Sequence, residues 1–201
     1  MINGFIRNTK KPEGLGGKLM VHMMNKGHAS LARWGFSHLS RKGRTDALDI
    51  GCGGGANVAV LLEMFPEGTV TGMDYSPVSV EKSAAVNQAA IRAGRCRILQ
   101  GDASALPFAE GSFDLVTAFE TVYFWPRLDS CFRQIHAALR PGGTFLICNE
   151  DSDPSDDTWT KRIDGMTVYS KEQLKQLLEQ AGFREIRWDE KKGWLCVVAF
   201  A

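Results

Sequence analysis

The sequence predicts an α/β domain with a doubly wound, mostly parallel sheet of seven strands, closed by a C-terminal antiparallel hairpin. Three observations carry this expectation. Short apolar runs that stop at glycine or an acid alternate with helical patterns over residues 46–182, a glycine-rich loop follows the first run, and only Asp189–Gly193 separates the last two runs. Alternation of this kind implies parallel strands covered by helices on both faces. So short a link cannot hold a parallel crossover, which leaves a hairpin.

The elements follow in order. Ala47–Ile50 is the first strand, and beyond the glycines Val58, Leu61, Leu62 and Phe65 recur at helical spacing until Pro66. Thr69–Met73 is the second strand. Ser76-Pro77 places an N-cap before proline at the first helical position and opens a helix to about Arg92. Cys96–Gln100 is a weaker strand and Phe113–Phe119 a stronger one. Leu128, Cys131, Phe132, Ile135 and Leu139 form an apolar helical stripe, and Pro141-Gly142-Gly143 reads as a turn feeding the strand Thr144–Cys148. Ser170-x-x-Gln173 is a capping box ahead of Leu174, Leu177, Leu178 and Ala181, with Gly182 where the helix should stop. Phe183–Trp188 and Trp194–Phe200 are the hairpin strands, expected at the sheet edge.

The chain has 201 residues, 44% apolar and 23% charged, which is the composition of one globular domain and excludes disordered, collagenous and coiled-coil classes. Twenty-four Lys and Arg against 23 Asp and Glu leave +1, a balance that disfavours a nucleic-acid coat. The balance hides an asymmetry. Residues 1–45 hold nine Lys and Arg against Glu13 alone, or +8, so the rest carries −7. One reading is a basic helical flap, 1–45, lying on an acidic body, 46–201; the other is an anion, RNA or membrane contact. Leu19, Met20, Met23, Met24, Leu31 and Trp34 recur near helical spacing and predict a helical cover over 16–34. No apolar run reaches the roughly 18–20 residues of a membrane span, and Met1–Arg7 lacks a signal-peptide core. Five widely spaced cysteines without a Cys-x-x-Cys pair point away from a disulfide framework or thiolate zinc and toward a reducing cytoplasm.

Candidate chemistry gathers at the strand ends. Asp49-Ile50-Gly51-Cys52-Gly53-Gly54-Gly55-Ala56 puts a glycine loop between the first strand and first helix, where a ligand can approach main-chain atoms closely. Gly51-x-Gly53-x-x-Ala56 also fits the dinucleotide fingerprint, so NAD is a competing ligand. Asp74 ends the second strand, where a carboxylate can accept from both ribose hydroxyls. Gly101-Asp102-Ala103 ends the third, and Phe119-Glu120 the fourth. All fall where open α/β sheets bind ligands.

Taken together, Asp49-x-Gly51-x-Gly53-x-Gly55, Asp74, Gly101-Asp102-Ala103, Phe113-Asp114-Leu115-Val116 and Leu139-Arg140-Pro141-Gly142-Gly143 resemble a class I S-adenosylmethionine-dependent methyltransferase with its Rossmann-like fold. The likeness is to the small-molecule branch that includes ubiquinone and menaquinone biosynthesis methyltransferases. It implies S-adenosyl-L-methionine as cofactor and a small-molecule methyl acceptor as partner, with a homodimer allowed and nucleic acid disfavoured. The resemblance assigns Asp49, Gly51, Cys52 and Gly53 to the methionine side, Asp74 to the ribose, Tyr75, Asp102 and Ala103 to the adenine, and Phe119 to the cofactor wall. Many relatives carry a histidine after the fourth strand, where this chain has Glu120 and Tyr123, so Glu120 and His28 are the candidate bases. Tyr123, Trp125 and Glu150 are candidate acceptor contacts, although the aromatics of residues 122–125 could equally be core. Two rival functions are an NAD(P)-binding reductase, against which stands the lack of a Tyr-x-x-x-Lys pair, and a noncatalytic S-adenosylmethionine-binding partner subunit. RNA is a variant acceptor suggested by the basic flap, but the Asn-Pro-Pro-Tyr motif is absent.

Overall fold

The computed structural model describes residues 29–40 and 43–201. Helix α1 (Ala29–Phe36) precedes β1 (Ala47–Ile50), α2 (Ala56–Met64), β2 (Val70–Asp74), α3 (Pro77–Val86), α4 (Gln88–Arg92) and β3 (Cys96–Gln100). Then come β4 (Phe113–Phe119), a 3-10 turn (Val122–Phe124), α5 (Leu128–Ala138), β5 (Leu139–Asn149), α6 (Lys171–Gln180), β6 (Arg184–Lys191) and β7 (Trp194–Phe200). The strand order is β3-β2-β1-β4-β5-β7-β6. The first five strands are parallel, and β7 runs antiparallel to both β5 and β6.

Because β1, β2 and β4 are buried on both faces, they read as continuous apolar runs rather than alternating ones. One face is covered by Leu31 and Phe36 of α1 and by Val58, Leu61 and Leu62 of α2. The other is covered by Cys131, Phe132 and Ile135 of α5 and by Leu174 and Leu178 of α6. Phe132 is fully buried and meets Phe145 edge to face at 5.5 Å. Among the described residues no helix is long and apolar enough to cross a membrane.

Helix α1 belongs to the core. A Cβ at Gly35 would lie 2.7 Å from Phe119 Cε1 and 2.9 Å from Cys148 Sγ, so glycine lets the helix lie against β4 and β5. His38 fastens its far end: Nε2 is 3.1 Å from Asp189 Oδ2 of β6, and Nδ1 is 2.9 Å from the Trp34 carbonyl. The rest of the expected helical cover, residues 16–28 including His28, lies outside the described residues.

Two local expectations change. The helix opened by Ser76-Pro77 does not run unbroken to Arg92; it ends at Val86, and Asn87 separates it from α4. Asn87 is 4% exposed and donates through Nδ2 to the carbonyls of Ser83 (2.9 Å) and Gly55 (3.1 Å), so this side chain ties the helix break to the glycine loop. The hairpin turn is also tighter than five residues. Lys192 and Gly193, both with positive φ (55° and 87°), connect β6 directly to β7, as two-residue hairpins require. The hairpin lies at the sheet edge as expected, with β6 outermost and β7 between it and β5.

The capping box forms as read: Ser170 Oγ accepts from Gln173 N–H, and Gln173 Oε1 from Ser170 N–H. The residues of the Leu139–Gly143 and Phe113–Val116 motifs build a clamp at the opposite end of the sheet from the glycine loop. Arg140 donates to Asp114 Oδ2 (2.6 Å) and Asp46 Oδ2 (3.2 Å), while Asp46 Oδ1 accepts from Thr69. The starts of β1, β2, β4 and β5 are thereby held in register.

Replacing Asn87 with alanine removes two buried bonds, while the Gly55 carbonyl keeps only the Ala59 N–H. This should cost about 1–3 kcal/mol in urea unfolding, with an unchanged denaturant slope. A loss below about 0.5 kcal/mol would mean that the break between α3 and α4 does not depend on this side chain.

Candidate active site

The glycine loop leaves β1 in a conformation that few other residues adopt. Gly51, Gly53 and Gly55 have φ of 74°, 51° and 80°. A Cβ at Gly51 would lie 2.2 Å from Thr121 Oγ1, so the loop after β1 lies directly against the loop after β4. Between these loops and α1 opens a cavity of about 860 Å³. It sits at the carboxyl ends of β1, β2, β3 and β4, the ligand position of open α/β sheets.

Asp74 provides the main polar wall. Its side chain is buried, with Oδ2 accepting Gly53 N–H and Oδ1 accepting Ser76 N–H, both at 2.9 Å. Burial raises its carboxyl above the usual aspartate range, and these two N–H bonds oppose the rise. The Ser79 side chain also hydrogen-bonds this carboxyl, which leaves about one of a carboxylate's roughly four acceptor positions for a ligand. Tyr75 is half-buried on the wall, its carbonyl held by Gln100 Nε2 at 3.1 Å. Asp102 is exposed on the wall with Oδ1 turned to Ser104 N–H, and Ala103 is buried beside it.

Asp49 lies beneath this surface rather than on it. It is 1% exposed; Thr117 Oγ1 donates to Oδ1 at 2.7 Å, and Oδ2 has no partner. Burial pushes its carboxyl up to about 7, the Thr117 bond pulls it down, and the charge of Asp74 adds to the rise. Cys52 is buried on the cavity wall with Sγ 3.7 Å from Ser83 Oγ, and burial holds its thiol well above the ordinary range.

Glu120 closes β4 with φ of 57°, an uncommon conformation for a non-glycine residue and one that often accompanies a functional constraint. It lines the cavity. Its Oε1 accepts the Glu150 N–H and the Tyr123 hydroxyl, the latter at 3.2 Å. Burial pushes this carboxyl up to about 8, with the charges of Glu150 and Asp151 reinforcing the rise and the Glu150 N–H opposing it. At neutral pH it therefore carries a proton.

The aromatic run after β4 divides. Trp125 lines the cavity, with Nε1 donating to Thr121 Oγ1 at 3.1 Å, and Phe124 lies beside it on the wall. Tyr123, expected on that wall, instead is 3% exposed, with its hydroxyl bonded to Glu120 and to the Asp151 N–H. Glu150, also expected there, is not on this wall; its backbone N–H donates to Glu120, and the residue borders a separate acidic hollow with Asp151, Asp153 and Asp156. Phe119 is on the cavity wall, its ring 4.8 Å from that of Phe36. Thr121 and Phe124, from the segment read as a candidate pocket wall, complete the cavity with residues that the sequence reading did not assign to it: Ser79, and the α1–α2 set Ala32, Arg33, Phe36, Val60 and Met64. The Leu31–Trp34 periodicity marked α1 as apolar, but only the tertiary placement shows which side faces the ligand.

A seven-stranded sheet of order 3-2-1-4-5-7-6 with a carboxylate-lined cavity beyond a glycine loop defines a Rossmann-like cofactor-binding enzyme domain. Residues 48–147 match the family model for the methyltransferase domain, and the chain belongs to that family. Cycloartenol-C-24-methyltransferase 1 of Oryza sativa subsp. japonica is 29% identical over 154 residues, covering 71% of this chain and 44% of that protein. Demethylmenaquinone methyltransferase of Staphylococcus aureus is 29% identical over 180 residues, covering 73% of this chain and 70% of that protein. The chain thus spans about half the length of several curated relatives it matches. A chain of the complex between the Haloferax volcanii Trm112 methyltransferase activator and a methyltransferase superposes with TM-score 0.80 at 21% identity, covering 90% of this chain and 93% of that one, which shows the fold.

The raised carboxyl of Asp49 has a consequence for stability. Its folded-state value lies above its unfolded value, so the folded protein holds a proton that the unfolded chain releases. The resulting stability is complete below about pH 4 and is lost as pH rises toward 7, by up to about 1.4 kcal/mol per pH unit. Urea unfolding across this range should show one proton less of pH dependence in Asp49→Asn than in the native sequence. Identical slopes would show that Asp49 titrates normally.

Proposed function

We propose that the protein transfers a methyl group from S-adenosylmethionine to a small-molecule acceptor. The observation that carries this reading is the pairing, in one cavity, of a carboxylate-lined half at the ends of β1–β3 with an aromatic and apolar half formed by α1, α2 and the loop after β4.

The residues present fit the cofactor. The buried, unpartnered Asp49 Oδ2 and the raised Asp74 are both relieved by nearby positive charge, and the cofactor carries an ammonium and a sulfonium. Asp74 would receive the ribose hydroxyls. Tyr75, Asp102 and Ala103 would face the adenine; Gly51, Cys52 and Gly53, above Asp49, would hold the methionine end, with Phe119 as a wall. When bound, S-adenosylmethionine supplies an activated methyl on a sulfur that departs as a neutral thioether.

The protein's own task is then alignment and exclusion of water. Phe36, Phe124 and Trp125 are the apolar walls that exclude it. Ring faces near a sulfonium are favourable by roughly 0.5–2 kcal/mol. Glu120 holds a proton at neutral pH, so it can accept one from an acceptor only as pH rises through about 8. Below that value it orients the loop through Tyr123 and the Glu150 N–H. His28 lies outside the described residues, and its role as a base stays a proposal. The sterol and quinone acceptors in the names of the relatives suit an apolar half-cavity. A reducing cytoplasm suits five cysteines that are all free and buried.

Saturating S-adenosylhomocysteine should raise the melting temperature, whereas NADH should not. Asp74→Ala should weaken S-adenosylmethionine binding by about 10–150-fold, the worth of roughly 1.5–3 kcal/mol of charge-assisted hydrogen bonding. Stabilisation by NADH in place of adenosylhomocysteine would return the protein to the reductase class, and an unchanged affinity in Asp74→Ala would remove the ribose assignment.

A further inference from the structure

Helix α2 is apolar on both sides, and only one side is explained by the sheet. Val58, Leu61 and Leu62 are buried against it, whereas Val60 stays 37% exposed and lines the cavity with Met64, one turn further along. Ala32 and Phe36, also one turn apart, bring a matching apolar row from α1. The two rows bound the cavity on its helical side, away from the carboxylates that the strand ends supply. At about 860 Å³ the cavity is near the upper limit for single-ligand pockets, roughly 300–1,000 Å³, and has room for an acceptor beside the cofactor.

Charge on the wall is divided in the same way. Asp74, Asp102 and Glu120 come from the strand ends, while Arg33 is the one cation on the wall among the described residues. Arg33 is exposed, belongs to the same helical face as Ala32 and Phe36, and its guanidinium has no hydrogen-bond or ion-pair partner among the described residues. An arginine placed beside an apolar trough matches an amphiphile with an anionic end, because the planar fork receives carboxylate or phosphate oxygens in pairs.

We propose that the trough between α1 and α2 binds the apolar chain of a single-chain amphiphilic acceptor, with Arg33 receiving its anionic end group at the rim and the reacting end directed toward Glu120 and Thr121. This inference rests on the methyltransferase reading and adds the acceptor's shape and charge. Burial of the chain against Ala32, Phe36, Val60 and Met64 supplies most of the affinity, and Arg33 supplies the preference for an anion.

Calorimetric titration of the full chain with S-adenosylhomocysteine, then with dodecanoate, dodecyl phosphate, dodecanol or dodecyltrimethylammonium below their micelle concentrations, tests the inference. At least one of the two anions should bind more tightly than dodecanol, and the cationic amphiphile most weakly. Arg33→Ala should weaken binding of that anion by about threefold and Arg33→Glu by about tenfold or more, with dodecanol unchanged in both. Val60→Glu should weaken dodecanol and the anions together. Equal binding of anionic, neutral and cationic chains, or an anion affinity indifferent to Arg33→Glu, would overturn the proposal, as would binding of none of the four. The first titration separates the two levels of the argument: adenosylhomocysteine binding without amphiphile binding defeats the trough alone, and its absence defeats the methyltransferase reading beneath it.

Discussion

The site is organised around one buried carboxylate. Asp74 accepts Gly53 N–H with one oxygen and Ser76 N–H with the other, so a single side chain joins the glycine loop after β1 to the start of α3. Burying a carboxylate is costly unless donors surround it, and these two N–H groups are donors that the backbone must place correctly. Placing them requires the positive-φ glycines of the loop and the extended Ser76 ahead of Pro77. Asn87 then anchors the far side of the same loop through the Gly55 carbonyl. Directly below, Asp49 keeps one oxygen without a partner. Two acids held above their ordinary range by burial give the end of the sheet an unmet demand for positive charge.

The opposite end of the sheet shows the contrasting use of charge. Arg140 and Arg44 neutralise Asp114 and Asp46 where β1, β4 and β5 begin, and Thr69 draws β2 into the same network. These contacts leave no charge demand, and none of these residues lines the cavity beyond the glycine loop. Charges that satisfy each other fix register, while charges left unsatisfied by the protein mark the place for a ligand. The motif residues therefore split into two groups: Asp49, the glycines, Asp74 and Asp102 at the ligand end, Asp114 and Arg140 at the structural end.

Much of this was legible in the sequence because it depends on local rules. Strands buried on both faces give continuous apolar runs, the Ser170 capping box and the Ser76-Pro77 start are contained within four residues, and a short link forces a hairpin. The carboxylate-bearing half of the cavity was legible for the same reason, since Asp74 and Asp102 stand at the ends of strands. What was not legible depends on contacts distant in the chain. The break at Asn87 requires a partner 32 residues earlier, Gly51 is constrained by Thr121, and Tyr123 leaves the wall because its hydroxyl meets Asp151. The tight Lys192-Gly193 turn was hidden because charged residues on the exposed edge of β6 read as loop. The helical side of the cavity was least legible of all, for Arg33 and Val60 come together only when α1 and α2 face each other across the cavity.

The most direct test of the central claim, that this cavity is a cofactor site whose helical half receives the acceptor, is a crystal structure of the full chain with S-adenosylhomocysteine. The expected result has the ribose hydroxyls on Asp74, the adenine beside Asp102, and the sulfur turned toward Glu120 and Trp125, with the α1–α2 trough open beyond it. A bound nucleoside elsewhere on the molecule, or one reversed so that its sulfur points away from Glu120 and the trough, would contradict the account.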